Sequence, residues 1–202
     1  MNLLDAQDTD WGIWSETGLT KEFNKWQYTG VLEIYTEEHS RQFDRISFIN
    51  ITRFSLTNWL DAGFALMPMR KWTEDGSEWR LRHYYYLQGS LGYGSYKFSV
   101  RERFEFTNYP VFSGNDFEFV TRTWRNQFKV SRDITGKPLT ISGWVESFAP
   151  FNKENPLLEE FRYAVSCTYL PVNTISVEPY LLYYQRRAND MFIFGINCYF
   201  TI

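Results

Sequence analysis

Residues 79–107 read WRLRHYYYLQGSLGYGSYKFSVRERFEFT. Taken in twos, Arg80, Arg82, Tyr84, Tyr86, Gln88 and Ser90 alternate with Trp79, Leu81, His83, Tyr85, Leu87 and Leu91. Beyond Gly92-Tyr93-Gly94-Ser95, Lys97, Ser99, Arg101, Arg103, Glu105 and Thr107 alternate with Tyr96, Phe98, Val100, Glu102, Phe104 and Phe106. Successive side chains on a strand point to opposite faces, so the stretch is a long β-hairpin with one wet, arginine-bearing face and one aromatic and aliphatic face. Each arm runs about a dozen residues, about twice the usual soluble strand. That length suits a tilted strand crossing a bilayer.

The same unit recurs along the chain. Tyr28, Leu32 and Ile34 oppose Gln27, Thr29, Glu33 and Glu37; Leu60, Ala62, Phe64 and Leu66 oppose Asp61, Gly63 and Ala65; Phe192, Phe194, Ile196, Cys198 and Phe200 form one face of the last segment. The period is two throughout, and no helix of useful length competes. Tight turns near Asn24, Thr57, Gly92, Gly136 and Asn173 alternate with longer polar links near Ser40, Asp75, Ser113, Asn155 and Asn189. Short turns at one end and longer loops at the other are the pattern of an outer-membrane barrel. A soluble sandwich, the competing all-β reading, would have to bring its apolar faces together in a core. Aromatic residues make up 20% of the chain, yet the mean hydropathy is only −0.42. That combination fits strands with one apolar and one polar face, and it excludes helical spans of about 20 apolar residues. The expected fold is all-β: a transmembrane antiparallel up-and-down β-barrel of about 10–12 strands.

Strand parity is the difficulty. The pattern yields eleven segments, counting the weakly alternating one from Asp10 to Phe23, whereas single-chain barrels of this class ordinarily have an even number. Ten strands, with the first segment in the lumen or along the rim, or twelve, with one element unrecognised, are preferred to an odd barrel closed by a parallel pair. Residues 1–7 are expected to be a residual leader or tag without order, and 8–202 a single outer-membrane barrel domain. Met1 to Ala6 is too short for an export signal, and Ala6-Gln7 has the look of a cleavage junction. Cys167 and Cys198 fall on the apolar phase of separate strands, which reads as two unpaired small hydrophobes rather than a disulfide or zinc site. A net charge of −3 gives no support to nucleic-acid binding.

Several pieces resemble an uncharacterised outer-membrane β-barrel family of the Bacteroidetes lineage, known only as a domain of unknown function. They are Asp8-Thr9-Asp10-Trp11-Gly12-Ile13-Trp14, Arg82-His83-Tyr84-Tyr85-Tyr86, Phe98-Ser99-Val100-Arg101-Glu102-Arg103, Glu146-Ser147-Phe148, Phe161-Arg162-Tyr163 and Phe194-Gly195-Ile196-Asn197-Cys198-Tyr199-Phe200. The resemblance runs through the whole chain. It implies the barrel fold and a bacterial outer-membrane location, and it carries over no catalytic residue.

Two groups of polar residues invite a functional reading. The wet faces hold Arg53, Arg82, Arg101, Arg103, Glu105, Arg125, Glu146, Arg162 and Glu178. Facing a lumen, these either form a ladder of ion pairs that fills it or line a small pore that favours anions. The apolar phase is interrupted by His83, Glu102 and Arg122 on three consecutive strands. With the turn centred between Tyr93 and Gly94, Glu102 pairs with Tyr85 and His83 lies diagonally beside it. The three then form a group near the outer rim, suited to lipid headgroups, lipopolysaccharide or a protein partner. A lipid-modifying enzyme could use His83 as a base oriented by Glu102, but no serine stands beside it on that phase. Trp11, Trp14, Trp26, Trp59, Trp72, Trp79 and Tyr93 lie near strand ends, as interfacial girdles do. His39 lies near a loop and reads as simply exposed. The chain has no phosphate-binding loop and no metal-ligand cluster, so no catalytic residue, metal or cofactor is assigned. The first function class is a structural or accessory barrel, as in a subunit of an envelope assembly. A narrow anion-preferring diffusion pore follows, and a lipid-modifying enzyme comes third.

Overall fold

The computed structural model describes residues 10–37, 42–73, 76–108, 119–151, 160–185 and 190–202. The leader expected over residues 1–7, His39 and the longer links around Ser40, Ser113, Asn155 and Asn189 lie outside the described residues, whereas the link expected to be longer at Asp75 is only two residues, because Thr73 pairs with Gly76.

The described residues form eleven strands: β1 (Asp10–Phe23), β2 (Trp26–Glu37), β3 (Gln42–Ser55), β4 (Leu60–Thr73), β5 (Gly76–Tyr93), β6 (Tyr96–Asn108), β7 (Phe119–Asp133), β8 (Leu139–Pro150), β9 (Glu160–Val172), β10 (Ile175–Gln185) and β11 (Met191–Thr201). Each pairs with its sequence neighbours, and β1 pairs with β11 to close the barrel. Closure satisfies both backbone edges, which a lipid environment could not. The preference for ten or twelve strands is corrected here. The weakly alternating first segment is neither plug nor rim; it is β1, in register with β11 from Asp10↔Met191 to Thr20↔Thr201. An odd up-and-down barrel must close this way, because its first and last strands run in the same direction. That seam is parallel, and every other pair is antiparallel.

Three of the five turns expected to be tight place a residue at positive φ. Asn24 (53°), Gly94 (59°) and Gly136 (73°) each take it up. In the β5–β6 hairpin this settles the register. Gly94 has to be the first of two loop residues, so Tyr93 pairs with Tyr96 and the turn is centred one residue later than expected. Glu102 then faces Leu87 instead of Tyr85, and His83 faces Phe106.

The outer face is predominantly apolar, with Leu32, Phe48, Phe64, Tyr85, Phe104, Phe128, Val165 and Phe194 all exposed. Trp11, Trp26, Trp59, Trp72, Trp79 and Tyr93 are exposed near the strand ends. Trp14 is not part of a girdle. It sits on the inward phase of β1, with its ring edge-on to Tyr35 and Tyr180.

Inside, the barrel is drier than the polar alternation of the opening hairpin suggests. Val31, Ile49, Ala65, Met67, Met69 and Tyr84 form one buried cluster on the inner face of β2–β5. Tyr35, Ala164, Leu182, Tyr184, Met191 and Ile193 form a second. Three inward tyrosines lie over a glycine directly across a neighbouring strand: Tyr199 over Gly18, Tyr86 over Gly63 and Tyr180 over Gly195. A side chain at any of the three glycines would collide with the ring. These rings therefore lie along the wall instead of projecting toward the axis.

Candidate functional site

A cavity of about 830 Å³ occupies the lumen. Its lining descends from Asp44, Lys71 and Glu160, near the strand ends that carry the longer links, to Lys129, Glu178 and Tyr199. Side chains of the inward phase supply its walls, as strand alternation requires.

The strongest feature of these walls is a network on β5–β9. Glu105 on β6 pairs with Arg82 at 3.2 Å, Arg103 at 3.3 Å and Arg125 at 3.0 Å. Glu146 on β8 pairs with Arg125 at 2.6 Å, Arg101 at 3.5 Å and Arg162 at 3.9 Å. Both carboxylates are buried, Glu105 at 8% exposure and Glu146 at 2%. Arg125 bridges them. Five arginines thus share two glutamates among the described residues, which leaves the wall with an excess of positive charge. Aromatic faces take up part of it: Arg103 lies over Tyr84 at 4.4 Å, and Arg162 lies over Phe148 at 4.5 Å and Tyr184 at 4.2 Å.

Seven of the nine expected lumen residues come together in this network: Arg82, Arg101, Arg103, Glu105, Arg125, Glu146 and Arg162. Arg53 does not join them, because it sits near the tight-turn end of β3, 4.0 Å from Asp61. Glu178 stands apart on β10, accepting from the Ser166 hydroxyl at 2.6 Å and pairing with Lys129 on β7 at 3.7 Å. Strands β7 and β10 are not neighbours, so the Lys129–Glu178 pair reaches across part of the lumen. Arg45 is a site residue that the alternation pattern left unremarked. It pairs with Glu33 at 3.0 Å and lies over the Tyr35 and Trp14 rings. Its signal was available, since it shares the wet phase of β3 with Arg53 and lies directly across from Tyr35.

The expected group on the outer face divides in two. His83 stacks on Phe106 with centroids 5.2 Å apart, and Phe106 in turn faces Arg122. Both Phe106 and Arg122 are close to the β6 and β7 ends that carry a longer link, so this row fits the rim position expected for it. Glu102 lies at the middle of β6, four residues from Phe106 along the strand. There it accepts a hydrogen bond from the Trp124 indole at 2.6 Å, with the Asn126 amide against the same carboxylate. Glu102 therefore does not orient His83, and the base-and-carboxylate arrangement imagined for a lipid-modifying enzyme is not formed. The cause is the register of the Gly94 turn. Cys167 and Cys198 are free thiols, as expected. No group of histidine, cysteine and carboxylate side chains that could hold a metal ion occurs among the described residues.

Residues 11–191 match the family described as "Protein of unknown function (DUF2490)". The chain belongs to this family. The family description assigns no activity to any residue, so the lumen has to be read from its own chemistry. No curated protein matches the chain. The structure is similar to that of the NanC porin solved in a rhombohedral crystal form, at a TM-score of 0.56 and 14% identity, over 92% of this chain and 91% of that one. At that identity the likeness is one of fold: the family member described here is a closed, porin-like β-barrel.

Proposed function

We propose that this protein is an integral barrel of the bacterial outer membrane and that its lumen is a narrow diffusion channel whose arginine wall favours anions. The apolar outer face is the surface offered to lipid, and the rim of strand ends opposite the tight turns is the one turned outward. The observation that carries the channel reading is the network on β5–β9. Five arginines on the wall of a cavity of about 830 Å³ share two carboxylates. Rings of fixed charge of one sign are how pores of this kind select ions. The NanC porin supports the reading as a structural relative that is itself a porin.

The test is single-channel recording of refolded protein in a planar bilayer under a salt gradient. Steps with a reversal potential of the anion-selective sign are expected, and the selectivity falls when Arg101 and Arg103 are replaced by Gln. A silent bilayer, with heat-modifiable migration showing a folded barrel, would remove the channel reading.

A second reading, a structural or accessory barrel within an envelope assembly, is favoured by the Lys129–Glu178 pair across the lumen and by the packing of Arg162 against Phe148 and Tyr184. In that reading the lumen is filled to support an outer surface that meets lipopolysaccharide or a protein partner. Native-membrane copurification after mild extraction tests it, with the His83–Phe106–Arg122 row as the surface a partner would cover.

A further inference from the structure

The lumen wall opposite the arginines carries a row of carboxylates, of which Glu33 is matched by Arg45 and Glu178 by Lys129. Glu33 on β2 faces Glu16 on β1 in direct cross-strand register, Glu16 faces Asn197 on β11, and Asn197 faces Glu178 on β10. Three carboxylates therefore occupy one row across four adjacent strands. In a ring of eleven strands, β1 and β2 lie across from β6 and β7. Glu16, Glu33, Arg103 and Arg125 each lie near the midpoint of their strand, and all four line the same cavity.

Both walls also keep like charges directly opposed. Glu16 faces Glu33 on one, and Arg103 faces Arg125 on the other. Directly opposed like charges destabilise a sheet. Partners on the same wall offset part of that cost: Arg45 pairs with Glu33, and Glu105 pairs with both Arg103 and Arg125. The charge left over at the waist is the Glu16 carboxylate on one side and the arginine excess on the other.

The local bonding leaves capacity on both sides. Glu16 accepts from the Tyr199 hydroxyl at 2.5 Å, and among the described residues no cation forms an ion pair with it. The buried Nε atoms of Arg101 and Arg103, and the buried Oδ1 of Asn197, have no hydrogen-bond partner within the described protein. Unmet donors thus stand on the basic wall, and an unmet acceptor and an unpaired carboxylate stand on the opposite wall.

From this we infer a binding site at the waist for small zwitterionic solutes. The anionic group docks on Arg101 and Arg103, and the ammonium group docks on Glu16 beside Asn197. The inference rests on the channel reading and narrows it: a plain anion is drawn to one wall only, whereas a zwitterion is held by both and oriented across the axis. A low-dielectric cleft lined by opposed charge focuses the field between its walls.

The experiment is liposome swelling with the refolded full chain, comparing glycylglycine with erythritol, a neutral solute of similar mass. Glycylglycine is expected to enter about tenfold faster than erythritol, the lower end of what charge focusing provides. The ratio is expected to collapse toward parity in Glu16→Gln, which retains an acceptor for Tyr199. Arg101→Gln is the second variant, expected to lower the same ratio from the opposite wall. Equal entry of the two solutes into wild-type vesicles, or an unchanged ratio in both variants, would overturn the waist site while leaving the channel reading intact. Entry of neither solute, together with a silent bilayer, would overturn both.

Discussion

Arg125 and Glu146 form a two-point ion pair across β7 and β8, with Nε donating at 3.2 Å and a terminal nitrogen at 2.6 Å to the two carboxylate oxygens. Arg125 also donates to Glu105 at 3.0 Å, so one guanidinium joins both carboxylates of the basic wall. Removing one partner of a buried pair strands the other. Glu146→Ala is therefore expected to destabilise the barrel by about 3–5 kcal/mol. Arg53→Ala breaks only the longer and more exposed contact with Asp61 and is expected to cost under about 1 kcal/mol. Denaturant unfolding in lipid vesicles separates the two. Equal small losses would mean that the network is not a structural unit.

The β1–β11 seam can be tested with a native thiol. Thr17 faces Cys198 across it, both on the outer face. In a Cys167→Ser background, Thr17→Cys is expected to form a disulfide with Cys198 on mild oxidation, because paired positions on adjacent strands lie within the Cα separation of about 4.4–6.8 Å that the bond needs. The crosslink changes migration on a denaturing gel and disappears in Cys198→Ser. Failure to crosslink in folded protein would argue for closure without β1.

The tyrosine-over-glycine pairs make a packing prediction. A Cβ at Gly195 falls inside the Tyr180 ring, whereas at Gly143 the nearest atom outside its chain neighbours is the Ala164 carbonyl oxygen at 3.8 Å. Gly195→Ala is expected to cost about 1–3 kcal/mol through overpacking. Gly143→Ala should be close to neutral. Adding Tyr180→Ala to Gly195→Ala should recover part of the loss, and a purely additive double variant would show that the ring is not what the methyl group meets.

Glu102 poses the reverse case. It is a carboxylate at mid-strand on the apolar outer face, held by Trp124. Glu102→Leu is expected to raise stability in lipid by about 1 kcal/mol, since charged outward side chains are costly near the midplane and acidic ones less so than basic ones. A loss of stability instead would mean that the Trp124 and Asn126 contacts outweigh the exposure of the charge.

The alternation of the opening hairpin is a backbone rule, and it therefore survived intact. Which residues face in and which face out was readable for nearly every strand, and with it most of the arginine network. Quantities that depend on a shift of one residue were not readable. Moving the turn from Tyr93-Gly94 to Gly94-Ser95 changes the facing residue of Glu102 from Tyr85 to Leu87 and so dissolves the His83–Glu102 pair. Trp14 was placed in a girdle because it lies close to the start of β1, yet the inward phase it shares with Glu16 makes it a lumen residue. Parity was missed for a related reason. The alternation of β1 is weak on its own, and its membership is earned through eleven partners on β11, at the far end of the chain. The row of carboxylates is likewise a product of closure, because Glu16 and Glu33 reach Glu178 only through that seam.

An even barrel returns both of its ends to the same rim, and this one does not. β1 starts at the rim where the longer links emerge, and β11 finishes at the rim of the tight turns. The first and last residues of the barrel wall, Asp10 and Thr201, therefore lie on opposite rims. In the outer-membrane placement proposed above, the odd strand gives the barrel two-sided access: an epitope fused ahead of β1 is expected to be reachable by antibody on whole cells, and one fused after β11 to be shielded until the envelope is opened.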